Sequence, residues 1–154
     1  TFEHNALIKA RTIAKKTKLI AISDDSGLEV DALGKKPGVY SARYAGEHAT
    51  DEENRKKLLK AMQNVPMSKR NARFVSAIAV VFPDGKEFVV RGICEGMIGF
   101  EEKGKNGFGY DSLFIIKGYD KTFGEIPSVI KNSISHRANA LKLMKQEFIK
   151  RVVK

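Results

Sequence analysis

The chain begins with the pattern of an amphipathic helix. Over residues 2–16 apolar side chains recur at helical spacing, with lysines and arginines on the opposite side. Thr1 has the side chain of an N-cap for this helix. A second helix is expected from Thr50, because Thr50 and Glu53 have the spacing of a capping box. A third is expected from about Ser135, so the chain has helices near both ends and one in between.

Each predicted helix has an apolar face that can pack on a core. In the last helix the apolar residues follow one another at spacings typical of one helix side. The predicted faces consist of Ala6, Leu7, Ala10, Ile13 and Ala14 in the first helix, Leu58, Leu59 and Met62 in the second, and Leu141, Met144, Phe148 and Val152 in the third.

Short runs rich in β-branched and aromatic residues predict the strands. They are residues 18–22, 28–32, 73–82, 87–98 and 113–116. Pro83-Asp84-Gly85-Lys86 joins the two long runs, and Asp-Gly is a strong hairpin signal. We therefore expect a single α/β domain over residues 1–154, with a mixed β-sheet, flanking helices and a long antiparallel hairpin.

Two adjacent aspartates follow the first apolar run. The order Leu19–Ile22, then Ser23-Asp24-Asp25-Ser26-Gly27, predicts a buried strand that ends in a polar turn. Neighbouring side chains in a strand would point to opposite faces, whereas in a turn both carboxylates can converge on one cation or one water. Mg²⁺ prefers such oxygen ligands. The alternative is a plain turn, since Asp, Ser and Gly are ordinary turn residues.

Composition narrows the classes of protein. Of 154 residues, 42% are hydrophobic and 30% are charged, as in a globular protein, and no apolar run is long enough to span a bilayer. Cys94 is the only cysteine, which favours a reducing, cytoplasmic compartment. The net charge of +10 favours anionic partners. A nucleic-acid-binding domain is one alternative, although no nucleic-acid-binding motif accompanies the charge.

Several stretches together are similar to one enzyme family. Ser23–Leu33, Pro37–Gly46, Gly107–Asp111 and Lys131–Ala138 resemble the motifs of the inosine triphosphate pyrophosphatase family, in the same order along the chain. The resemblance extends from Thr1 to about Phe148. It implies an inosine triphosphate pyrophosphatase-like fold, a homodimer, and Mg²⁺-dependent hydrolysis of ITP, dITP or XTP to the monophosphate and pyrophosphate, which cleanses the nucleotide pool.

The same resemblance implies roles for individual residues. Asp25 would be the catalytic proton acceptor and a Mg²⁺ ligand, with Asp24 supporting the metal. The residues expected to bind substrate are Lys9, Ser26, Phe108, Gly109, Tyr110, Asp111, Lys131, His136 and Arg137. An aromatic ring stacks on a purine. Arginine only donates hydrogen bonds, so Arg137 would favour the keto oxygen of hypoxanthine or xanthine over the amino group of adenine.

Both segments could also have a purely structural role. Phe108–Asp111 also fits a glycine-rich turn whose aromatic rings belong to the core, and Ser135-His136-Arg137 also fits a helix start with solvated side chains. In the resembled family a strand and a phosphate-binding loop precede the first helix, and a further metal-binding glutamate follows them. The chain as numbered lacks these stretches. We therefore expect an N-terminally truncated domain, either active or an inert subunit of the same fold, with an open or otherwise covered strand edge near Leu19–Ile22.

Overall fold

A computed structural model describes residues 1–153, which form four α-helices and a five-stranded sheet. The elements are α1 (Phe2–Thr17), β1 (Ala21–Val30), β2 (Lys36–Gly38), α2 (Asp51–Ala61), β3 (Asn71–Val81), β4 (Glu87–Ile98), β5 (Phe114–Ile116), α3 (Ser128–Ile134) and α4 (His136–Val152). The strand order is β2-β1-β3-β4-β5. The pairs β1–β2 and β4–β5 are antiparallel. The predicted α/β class with a long hairpin is confirmed.

The described chain divides into two compact units. The first, called unit 1, contains residues 1–26, 75–93 and those from 135 on. The second, called unit 2, contains residues 27–74 and 94–134. The strands β1, β3 and β4 contribute residues to both.

In unit 1, small residues let the helices approach the strands closely. Three alanines of α1 are buried with apolar residues of β1 and β3; this cluster is Ala6, Ala10, Ala14, Ala21, Ala79 and Val81. The backbone of α4 lies against Gly92 of β4, where an added Cβ would overlap the backbone nitrogen of Ala140. Any larger residue at position 92 would therefore displace α4.

The core of unit 2 is aromatic, and this unit also buries charged side chains, among them that of Arg70. Phe74, Phe114 and Phe123 pack with ring centroids 4.5 to 5.9 Å apart. Arg70 is 1% exposed and donates hydrogen bonds to four carbonyl oxygens, those of Met62, Val65, Ile98 and Gly99, at 2.7 to 2.9 Å. A buried guanidinium needs such partners because burial without them is very costly.

The helix starts are as predicted. Thr1 accepts a hydrogen bond from the His4 amide at 3.0 Å, and both halves of the Thr50–Glu53 capping box are formed. Ser135 caps α4 in the same way. The predicted apolar face of α4 is partly wrong, since Leu141 and Val152 are exposed and Ala140 is the buried residue.

The start of β1 differs from the prediction. Lys18 closes α1 in a left-handed conformation, φ 59°, and the strand begins only at Ala21. Leu19 and Ile22 are exposed, so the apolar run is not a buried strand. The predicted turn at residues 23–27 is also wrong, because β1 continues through it to Val30.

The outer edge of β1 is only partly paired. Its register with β2 covers Leu28–Val30, and among the described residues no strand pairs with the outer side of Ala21–Ser26. No helix in the described chain has the length and apolar character that crossing a bilayer requires.

Candidate functional site

The two aspartates of β1 do not converge. Successive side chains of a strand point to opposite faces. Asp25 Oδ2 accepts a hydrogen bond from Asn5 Nδ2 of α1 at 3.1 Å, whereas Asp24 Oδ2 lies 3.4 Å from Arg137 Nη2 of α4. Asp24 and Asp25 thus contact different helices, because the strand continues where a turn was predicted, and their joint support of a metal stays a prediction.

Three further predicted residues lie in unit 1 around this stretch of β1. The Lys9 amine of α1 donates to the backbone carbonyl of Asp24. Ser26 is half-buried, two residues beyond Asp24 on the same strand, so alternation puts it on the Asp24 side. His136 is half-buried at the first position of α4, directly before Arg137. Unit 1 thus brings Lys9, Arg137 and the aspartates of β1 together.

The carboxylates near β1 determine how the expected Mg²⁺ could be bound. In the described part of the chain no group of three or more His, Cys, Asp or Glu side chains could hold an ion. Mg²⁺ in phosphate-processing sites is often held by only one or two carboxylates, with waters and substrate phosphates as the other ligands. The half-buried Asp25 carboxylate fits that role, and the half-buried Asp24, which contacts Arg137, stays a predicted second support.

In unit 2 the segment Phe108–Asp111 is built on a buried ion pair. Asp111 is 5% exposed and lies 2.6 Å from the Lys131 amine of α3. The same carboxylate oxygen accepts the Phe108 amide at 3.0 Å. Lys131 Nζ lies 4.6 Å from the centroid of the Phe108 ring. The segment, Lys131 and Asp111 therefore form one connected group.

The two aromatic rings of the segment have different surroundings. Phe108 is 66% exposed, so the alternative that its ring belongs to the core is wrong. Tyr110 is buried, and its hydroxyl donates to the Ser41 carbonyl at 2.6 Å. Burial raises the pKa of the Tyr110 phenol far above its usual value. The segment thus presents one ring outward while the other anchors it.

Several residues that hold this segment were not found from the sequence. Ser41 accepts the Tyr110 hydroxyl on its carbonyl, and its own hydroxyl accepts the Leu28 amide at 2.8 Å. Asp51 and Arg55 of α2 bind the peptide groups of Gly109. Local patterns could not reveal these partners, because 58 residues separate Asp51 from Gly109.

Comparison with known sequences places these residues in a wider group. The Ham1 family matches residues 1–147. The dITP/XTP pyrophosphatase of Bacillus licheniformis is 55% identical over 142 residues, which cover 92% of this chain and 72% of that protein. The dITP/XTP pyrophosphatase of Haemophilus influenzae is 50% identical over 149 residues, covering 96% of this chain and 76% of that protein.

Solved structures agree with the sequence comparison. The Staphylococcus aureus Ham1 protein superposes with a TM-score of 0.92 at 45% identity, covering 97% of this chain and 77% of that one. A nucleoside-triphosphatase and dITP/XTP pyrophosphatase from Mycobacterium abscessus superposes with a TM-score of 0.84 at 46% identity, covering 94% and 74%. The predicted fold class is thereby confirmed.

Proposed function

This chain belongs to the Ham1 family, and from that membership we propose that it hydrolyses non-standard purine nucleoside triphosphates, namely dITP, ITP and XTP. The products are the monophosphate and pyrophosphate, so the reaction removes aberrant purines from the nucleotide pool. The dITP/XTP pyrophosphatases that are about half identical to it support this assignment.

The observation that carries the base-binding part of this proposal is the exposed Phe108 ring. A ring that is 66% exposed, with an ammonium group on the neighbouring Lys131, presents a flat surface for a purine. Base stacking on an aromatic ring contributes roughly 1–3 kcal/mol and tolerates any base. We assign purine stacking to Phe108, with Gly109, Tyr110 and Asp111 shaping the segment and Lys131 holding Asp111.

Asp25 is proposed as the general base and the Mg²⁺ ligand. A bound Mg²⁺ would neutralise charge on the polyphosphate and polarise it for attack. The Asp25 carboxylate accepts the proton of the attacking water, and the hydrogen bond from Asn5 fixes the orientation of its Oδ2 oxygen. Lys9 adds a positive charge beside β1 for the phosphate groups.

Arg137 is proposed to select keto purines. Its side chain is 49% exposed and one nitrogen lies 3.4 Å from Asp24, which leaves further donors of the guanidinium for a ligand. The carboxylate of Asp24 orients the guanidinium, and its support of the metal, directly or through water, stays a proposal. His136 and Ser26, next to Arg137 and Asp24 respectively, are proposed as additional substrate contacts.

Pyrophosphate release is the direct test of the proposed function. We expect release from dITP, ITP and XTP in the presence of Mg²⁺, much slower release from ATP, and loss of release when EDTA removes the metal. The measurement is a coupled pyrophosphate assay with each nucleotide at equal concentration. Equal rates with ATP and ITP, or no release from any nucleotide, would contradict the proposal.

The stacking role of Phe108 gives a second prediction. Phe108→Ala should weaken purine nucleotide binding by roughly 1–3 kcal/mol, because the stacking surface is lost. Phe108→Tyr keeps the ring and is the matched control, expected near wild type. Binding of inosine monophosphate by calorimetry measures both. Unchanged affinity in Phe108→Ala would remove the ring from the base site.

Two further proposals concern the cellular location and the oligomeric state of the enzyme. With one cysteine, Cys94, the chain forms no internal disulfide, which supports a cytoplasmic, reducing location. A homodimer is proposed from the resemblance to the inosine triphosphate pyrophosphatase family, and sedimentation measures it directly. A nucleic-acid-binding role is not favoured, and a filter-binding salt titration would expose one as a steep loss of binding with salt.

A further inference from the structure

Two side chains of α2 bind the backbone of Gly109, one at its N–H and the other at its carbonyl. Asp51 Oδ2 accepts the Gly109 N–H at 3.0 Å, and Arg55 Nη1 donates to the Gly109 carbonyl at 2.9 Å. Asp51 and Arg55 are four residues apart on the helix, so their side chains extend from the same face. Both hydrogen bonds include a charged partner, which makes them stronger than ordinary backbone bonds.

Gly109 has little else to fix its conformation. Its φ is 59°, a region that glycine enters easily, and no atom lies within 4 Å of the position its Cβ would take. The ring before it, Phe108, is mostly exposed and is not held by burial. The direction of the Phe108 ring therefore depends on its contact with Lys131 and on hydrogen bonds to the backbone of the segment.

Arg55 is itself held in place. Its Nε lies 2.6 Å from the Glu102 carboxylate, and its side chain is only 20% exposed. The Tyr110 hydroxyl is bound to the Ser41 carbonyl on the other side of Gly109. The segment thus has fixed contacts on each side of Gly109.

We propose that Asp51 and Arg55 are positioning residues that preorganise Phe108 and Gly109 for the purine base. The inference rests on the proposed function and adds residues that touch the segment rather than the substrate. A segment fixed before binding loses less conformational entropy when the base stacks on it. Loss of the contact between α2 and Gly109 should lower the affinity for all purine nucleotides equally, because Asp51 and Arg55 bind the protein backbone and not the edge of the base.

The test compares Asp51→Ala with two controls. Asp51→Ala should raise KM for dITP and XTP about 3- to 10-fold, less than the full effect of a charge-assisted hydrogen bond, because Asp51 acts on the base through the segment. We expect kcat and the dITP-to-dATP preference to stay within about twofold. Asp51→Asn retains an acceptor and should rescue KM. Glu52→Ala is the second control and should resemble wild type, since Glu52 is also acidic and in the first turn of α2 but forms an ion pair with Lys56 at 3.3 Å.

Two measurements separate this inference from the proposed function. In Asp51→Ala the Gly109 amide should exchange with solvent faster, and inosine monophosphate should bind more weakly by calorimetry. An active wild type with unchanged KM in Asp51→Ala would overturn the inference alone. Absence of turnover in wild type, with inosine monophosphate binding still weakened in Asp51→Ala, would overturn the hydrolysis and support the positioning role.

A second variant guards against loss of folding. Arg55→Lys keeps the positive charge towards Glu102 but cannot reproduce the planar donor geometry at Gly109. It should show the same rise in KM with the thermal midpoint of wild type. If Arg55→Lys and Asp51→Ala both fold and neither changes nucleotide affinity, the α2 contact does not position the base.

Discussion

Asp25→Asn is expected to reduce turnover of dITP by roughly 10²- to 10⁴-fold, the contribution of a positioned general base. The amide has the shape of the carboxylate and keeps an acceptor for Asn5, so folding should be unaffected. It can neither accept the proton of the attacking water nor offer Mg²⁺ a charged oxygen. Single-turnover pyrophosphate release measures the loss, and calorimetry with inosine monophosphate checks that base binding persists.

Asp24→Asn is the matched control for this variant. The two positions are adjacent in β1 and receive the same substitution, but Asp24 faces Arg137 and Asp25 faces Asn5. We expect Asp24→Asn to retain most of kcat and to change nucleotide selectivity instead. Near-normal turnover in Asp25→Asn, or an equal loss in both variants, would remove Asp25 from the proton transfer.

Arg137→Ala should narrow the preference for ITP over ATP. Loss of a hydrogen bond from a charged donor to the keto oxygen weakens binding by roughly 1.5–3 kcal/mol. ATP, which presents an amino group at that position, should lose little. The ratio of kcat/KM for the two nucleotides, measured in the same mixture, reports the change without depending on enzyme concentration.

Lys142→Ala controls for the loss of one positive charge from α4, since Lys142 is exposed on the same helix. We expect it to leave both the rates and the ratio near wild type. Should ITP and ATP lose affinity equally in Arg137→Ala, Arg137 would be a phosphate contact. The base reader would then have to be another residue, with His136 the nearest in sequence.

The features predicted well from sequence are those set by neighbouring residues. The Thr50–Glu53 capping box and the Asp84-Gly85 turn depend on side chains within a few positions, and both formed as expected. The motif around Asp25 was predicted as a turn, whereas it lies in β1, which is hydrogen-bonded to β3 at residues 71–81. This pairing, and the contacts of Asp25 with Asn5 and of Asp24 with Arg137 at separations of 20 and 113 residues, cannot be seen in a local pattern.

The buried face of α4 shows a second reason why some features could not be predicted from the sequence. Counting large apolar residues placed Leu141 and Val152 inward, but both are exposed. The backbone of α4 lies so close to Gly92 of β4 that only a small residue fits on α4 at this point, and that residue is Ala140. A pattern search weighs hydrophobicity and not the space that a glycine on another element leaves open. The resemblance identified Lys131 and Asp111, but nothing local indicated that they pair with each other.

The buried guanidinium of Arg70 has a consequence for how unit 2 assembles. Its four carbonyl partners come from two distant stretches, residues 62–65 after α2 and residues 98–99 at the end of β4. A partly folded chain with only one stretch in place would enclose a charge with half of its partners absent, at a cost of several kcal/mol. Such intermediates are therefore sparsely populated, and the two stretches are expected to order in one cooperative step.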